Sequence, residues 1–180
     1  MKKIDHLPRR AAAAVFCSTL VLHACASAAI PPVPQALTNV IAALGDFKSL
    51  RMKSAQFETL VTPYCKRTDH AVEEYGVRDE YKCQPGSGIT AITFDSRNEN
   101  TPGKNYVMYV AVDLQLDHYA GVREQLTGKL GRTTKTDKDF VYWTYRGDKA
   151  LNRLGNPAIM LSRDAAERTA SFTLALEQGP

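Results

Sequence analysis

The run Asn105 to Leu114, Asn-Tyr-Val-Met-Tyr-Val-Ala-Val-Asp-Leu, limits the possible folds more than any other stretch of the chain. In an extended backbone Tyr106, Met108, Val110, Val112 and Leu114 fall on one side and Val107, Tyr109 and Ala111 on the other. Both sides ask for cover, which marks a central strand of a sheet. The rest of the chain must supply flanking strands and a layer of helix to pack on them.

Three helical patterns answer that need. After the stiff lead-in Pro31, Pro32 and Pro34, Leu37, Val40, Ile41 and Leu44 recur at helical spacing and Gly45 follows as a stop, which predicts a helix over Gln35 to Leu44. Ser54 is placed to cap a shorter helix with Phe57, Leu60 and Val61 on one face, ended by Pro63. Asp117 is placed to cap a third, with Tyr119, Val122, Leu126 and Leu130 inward and Gly131 beyond. Strands are predicted at Glu80 to Cys83, Ile89 to Asp95, Phe140 to Arg146, Ala158 to Arg163 and Ser171 to Gln178. Met52 to Leu114 and Leu116 to Gln178 then each read helix, strand, strand, strand. The expected architecture is α+β: two tandem αβββ repeats with an antiparallel sheet and helices packed on one face, plus an N-terminal helix. The corresponding divisions are 1–29, 30–45, 46–115 and 116–180.

Residues 1–29 read as an export signal. Lys2, Lys3, Arg9 and Arg10 precede an apolar run from Ala11 to Leu22 and a small-residue end through Ala24, Ala26, Ala28 and Ala29. The run is about a dozen residues, against roughly 20 for a membrane-spanning helix, so a transmembrane reading is rejected. Cleavage after Ala28 or Ala29 would leave a periplasmic chain beginning near Ile30. The alternative is lipidation at Cys25 within Leu22-His23-Ala24-Cys25, giving an outer-membrane lipoprotein. Four of the 23 Lys and Arg and one of the 19 Asp and Glu precede Ile30, so the remainder carries a net charge near +1. A near-neutral chain without a basic run gives no footprint for nucleic acid.

Of the four cysteines, Cys17 and Cys25 lie in the signal region, which leaves Cys65 and Cys83 as a single pair in an oxidising compartment. They are expected to form a disulfide tying the end of the second helix to a strand. The competing reading makes Cys65 a nucleophile served by His70. Between the cysteines the chain is crowded with charge, including Arg67, Asp69, His70, Glu73, Glu74 and Arg78. This segment reads as a recognition loop pinned at its base, or else as a solvated loop or a further surface helix. A second candidate contact surface is aromatic: alternation separates Phe140 and Tyr142 from Val141, Trp143 and Tyr145, so one set is core and the other either faces a partner from an uncovered sheet face or lies under the helix Gln35 to Leu44 or a loop, with Tyr142, Trp143 and Tyr145 as candidates.

Catalytic and cofactor chemistry finds little to stand on. His70 and His118 have no second ligand at metal spacing, Gly86-Ser87-Gly88 is turn chemistry and not a nucleophile elbow, and Asp113 and Asp117 are explained by capping and exposure. No phosphate loop or dinucleotide fingerprint occurs, and no cofactor or metal is expected.

The tandem αβββ pattern, with one helix-to-strand disulfide and the helix end Val122-Arg-Glu-Gln-Leu-Thr-Gly-Lys-Leu-Gly131, resembles the modules of the β-lactamase inhibitory proteins. More loosely, it is similar to the small lipoproteins of the outer-membrane β-barrel assembly machine. The resemblance implies a binding function with a sheet face or loops presented to another protein, and it carries over no individual residue. The expected function is an exported periplasmic protein-binding module, an inhibitor or immunity protein neutralising an envelope-acting enzyme or toxin. The alternatives are a structural or assembly factor of the outer membrane and, third, a small envelope hydrolase.

Overall fold

The structure is a computed structural model, and it describes residues 30–74, 76–98, 105–145, 147 and 155–177. The expected signal segment, its cleavage at Ala28 or Ala29 and the lipidation candidate Cys25 lie outside the described residues. Eight strands form one antiparallel sheet: β1 (Cys65–Glu73), β2 (Gly76–Cys83), β3 (Ile89–Asn98), β4 (Asn105–Gln115), β5 (Lys135–Thr136), β6 (Phe140–Thr144), β7 (Asn156–Asp164) and β8 (Thr169–Glu177). Their spatial order is β1-β2-β3-β4-β8-β7-β6-β5. Three α-helices accompany them: α1 (Gln35–Leu44), α2 (Ser54–Val61) and α3 (Tyr119–Leu130).

This overturns the expectation of two tandem αβββ repeats. The charged segment read as a loop is a hairpin of β1 and β2, of which β1 is an additional nine-residue strand, and Lys135–Thr136 adds a further short strand at the other edge, so neither half has three strands. The sheet dominates the molecule, and α+β describes it only loosely. β1 escaped the pattern because charged and polar residues dominate both of its faces, as suits an edge strand.

β4 is central, as its sequence requires, with β3 on one side and β8 on the other. Its parity differs from simple alternation near the start. An irregularity against β3 falls between the pairs Asp95↔Tyr109 and Ser96↔Val107, which leaves Met108 as the extra residue. Val107 therefore joins Val110, Val112 and Leu114 in the core at 1% exposure, while Tyr106 moves to the face that carries Tyr109.

The helices pack on one face. Rows of paired residues run across it, such as Tyr81, Ile92, Val112, Phe172, Leu161 and Val141, and all are buried. Phe57 of α2 stacks on Phe94 with ring centroids 4.1 Å apart and meets Tyr81 edge-on at 5.7 Å. α1 and α3 lie against each other, joined where Gln125 donates to the Thr38 carbonyl and the Lys129 ammonium to that of Ala42. A 3-10 turn at Phe47–Arg51 inserts Leu50 into the same core. The helix bounds follow their apolar spacing, but the expected caps do not all form. Ser54 is the first residue of α2, where the Gln56 side chain accepts from the Lys53 amide. Asp117 sits exposed in a 3-10 turn ahead of α3 and caps nothing.

Candidate functional site

Cys65 and Cys83 are bonded and directly opposite each other at the base of the β1–β2 hairpin. The disulfide therefore joins two neighbouring strands and not a helix to a strand. The Cys65 sulfur is consumed by it, so it is no thiol nucleophile.

The hairpin organises two ionic clusters, one on each face. On the helix face the Asp79 carboxylate, whose side chain is 4% exposed, is approached by His70 Nδ1 at 2.6 Å and Arg67 Nη1 at 3.5 Å, and Arg67 also reaches Glu58 of α2 at 3.6 Å. Register explains the meeting: His70 is the direct cross-strand partner of Asp79, and Arg67 that of Tyr81 two residues on. The Tyr81 hydroxyl is buried and meets no partner in good hydrogen-bond geometry, the Arg67 guanidinium standing near it without a well-formed bond. Burial, together with the Asp79 and Glu58 carboxylates, pushes its pKa up to about 12, against the opposing pull of the Arg67 guanidinium.

On the opposite face Arg97 holds two carboxylates, Glu73 and Asp95, with Nε 3.2 Å from Asp95 Oδ1. Glu73, Gly76 and Arg97 occupy one row across β1, β2 and β3. The missing side chain at Gly76 lets Glu73 reach over a whole strand to its partner. The same position allows the backbones to close, since a Cβ there would lie 1.9 Å from the Ser96 carbonyl oxygen. Burial raises the Asp95 pKa, with Glu73 adding to it and Arg97 opposing. Arg78 pairs with Glu80 on this face at 3.2 Å, whereas Asp69 and Glu74 are exposed.

The aromatic candidates separate as alternation requires. Trp143 is in the core at 2% exposure, its indole N–H donating to the Gly131 carbonyl at 3.1 Å. Tyr145 packs on Phe47 with ring centroids 5.1 Å apart. Tyr142 alone of the three lies on the face away from the helices, in register with Lys135 and Met160. The candidates thus fall into three places and do not form one site.

The face away from the helices is the larger surface. Between the ionic cluster on β1 to β3 and Phe140 and Tyr142 on β6, it carries mostly short side chains, Ala91, Thr93, Ala111, Ser171, Thr173, Ala175, Ala158 and Ser162, with Asp113 and Met160 set among them. Tyr109 stands above them at 39% exposure. Among the described residues no helix packs here. Sequence reasoning missed both this field and the parts played by Asp79 in one ionic cluster and by Asp95 and Arg97 in the other, because cross-strand neighbours follow from strand order. A signal was present in the Ala, Ser and Thr residues that alternate with the large apolar residues of β8.

As chemistry, the His70–Asp79 pair could orient an imidazole, but no described hydroxyl or thiol hydrogen-bonds His70. Among the described residues no group of three or more His, Cys, Asp or Glu could hold a metal ion, and no helix is long and apolar enough to cross a membrane. A cleft of about 670 Å³ between α3 and β6 is walled by Phe47, Lys129, Arg132, Thr134, Thr144 and Tyr145, and none of these is a carboxylate or an imidazole. No protein-family model, curated protein or solved structure matches the chain.

Proposed function

We propose that the protein is a non-catalytic protein-binding module of the cell envelope, acting as an inhibitor or immunity protein that covers an envelope-acting enzyme or toxin with the helix-free face of its sheet. The observation that carries this reading is the field of alanine, serine and threonine on that face. Short side chains lose little rotamer entropy when covered, and backbone pairing across the sheet holds them in place, so a partner can be met without reorganisation. Tyr109 supplies an aromatic anchor within the field, the residue type that dominates binding energy in protein interfaces. The ionic cluster of Glu73, Arg97 and Asp95 borders it as a polar rim. The expected export of the chain places the partner in the envelope.

The test is capture from envelope extract of the protein's own cells, with bound chains identified by mass spectrometry, for the unaltered protein and for Thr173→Arg and Ala175→Arg. One stoichiometric secreted hydrolase or toxin, captured by the unaltered chain and lost from both folded variants, is the expected result. Capture that survives both substitutions would refute this face as the contact. Turnover of an envelope substrate by the purified protein would refute the non-catalytic reading.

A further inference from the structure

We infer that two copies of this chain associate through β1, antiparallel and edge to edge, into one continuous sheet. β1 is the outermost strand and pairs only with β2, so its outward N–H and C=O groups meet no strand among the described residues. Such an edge is a template for another strand. Charge on an edge ordinarily repels all comers, but on β1 it is segregated: Lys66 and Arg67 stand at one end, Glu73 and the adjoining Glu74 at the other. A parallel copy brings like charges together. An antiparallel copy brings the basic end of each strand against the acidic end of the other, twice, and only a second copy of this strand offers that match by construction.

The register can be read from the hairpin. Opposite β2, Lys66, Asp69, Ala71 and Glu73 share one face and Arg67, His70 and Val72 the other, with Thr68 as the extra residue of the irregularity. A two-fold axis through His70, perpendicular to the sheet, sets Asp69 opposite Ala71. With Thr68 skipped in both strands, Val72 then meets Arg67 and Glu73 meets Lys66, each pair on a common face. Val72, at 75% exposure the most exposed large apolar residue described, is covered by the aliphatic stem of its partner's Arg67. The axis keeps both helix-free faces on one side of the joined sheet, so the association doubles that surface without using it. The inference goes beyond the proposed function and stands or falls separately from it.

Sedimentation equilibrium of the purified chain, with its disulfide intact, tests the inference at low and high salt. Among the described residues Lys66 and Glu74 make no ion pair or side-chain hydrogen bond, so Lys66→Glu and Glu74→Lys alter the ends of the strand without removing any such contact. The expected result is a dimer at low salt that weakens as salt rises. Each variant alone should have its dimer constant weakened by about tenfold or more, and an equimolar mixture of the two should recover part of the dimer, associating more tightly than either variant alone because one end of the mixed pair keeps Lys66 opposite Glu73. Amide exchange on the unaltered protein supplies a second readout, since the outward amides of β1 must gain protection as protein concentration rises. A monomer at all concentrations, a dimer indifferent to both substitutions, a mixture that fails to recover, or β1 amides indifferent to concentration would each overturn the inference.

Discussion

Replacing Tyr81 with phenylalanine is expected to stabilise the protein, and increasingly so as pH rises. The ring is held by Phe57 and is 3% exposed, while its hydroxyl makes no well-formed hydrogen bond. An unsatisfied buried hydroxyl costs about 1–3 kcal/mol, so Tyr81→Phe should gain about 1 kcal/mol at pH 7 after allowance for local relaxation. The alkaline limb adds a second effect. With the folded-state pKa near 12 and the unfolded value near 10, the unfolded chain ionises first. Stability is intact below pH 10 and falls as pH climbs toward 12, by about 2 kcal/mol for this group. The phenylalanine variant lacks that loss, so the gap between the two proteins should widen from about 1 to about 3 kcal/mol. Urea unfolding followed by the fluorescence of Trp143, the single tryptophan, measures the gap at each pH with the disulfide intact. A variant less stable than the parent at pH 7, or a gap that stays constant between pH 9 and 11.5, would refute the reasoning.

Two further perturbations bear on the hairpin. Removing the Cys65–Cys83 bond by paired alanine substitution should cost about 3 kcal/mol in urea unfolding, the chain entropy of closing a loop of this length; a cost below about 1 kcal/mol would show that the hairpin is already closed in the unfolded chain. Gly76→Ala should cost about 1–3 kcal/mol, because its Cβ would collide with the Ser96 carbonyl and force β2 away from β3. Amide exchange should then rise along β1 and β2 while β7 and β8 are unaffected, and uniform loosening of the sheet would contradict that account.

The sequence was legible wherever one side of an element is buried. α1, α2 and α3 begin and end close to where their apolar spacing places them, and β8 and the second half of β4 show their inward residues directly. It was illegible where burial stops. β1 sits at an edge, so neither of its faces records the core and only its charges are visible in the letters. The exchange of Tyr106 and Val107 between faces depends on one extra residue in β4, which alternation counted from a single strand cannot detect. The short strand β5 and the reach of Glu73 across Gly76 to Arg97 depend on the neighbouring strand in the same way. For the candidate site, the residue types were visible but their grouping was not, since Asp79 meets His70 and Arg67 only once the hairpin is in register.

One seam in the sheet sets how the chain reaches its fold. Every strand pairing joins consecutive strands except β4 with β8, where Tyr109 to Gln115 meet Ala175 to Thr169. The six hairpin pairings close short loops, whereas this one closes a loop several times longer, at an extra entropic cost of about 1.5 kcal/mol. Docking of β8 on β4 is therefore expected as the late step of folding, after two local meanders have formed. Until it occurs, the inner edge of β4 and the apolar flank of β8 stand open side by side in each chain. A neighbouring molecule at the same stage offers the identical complement, so crowding during folding favours exchange of β8 between chains, and the speed of that single docking step governs the yield of monomeric fold.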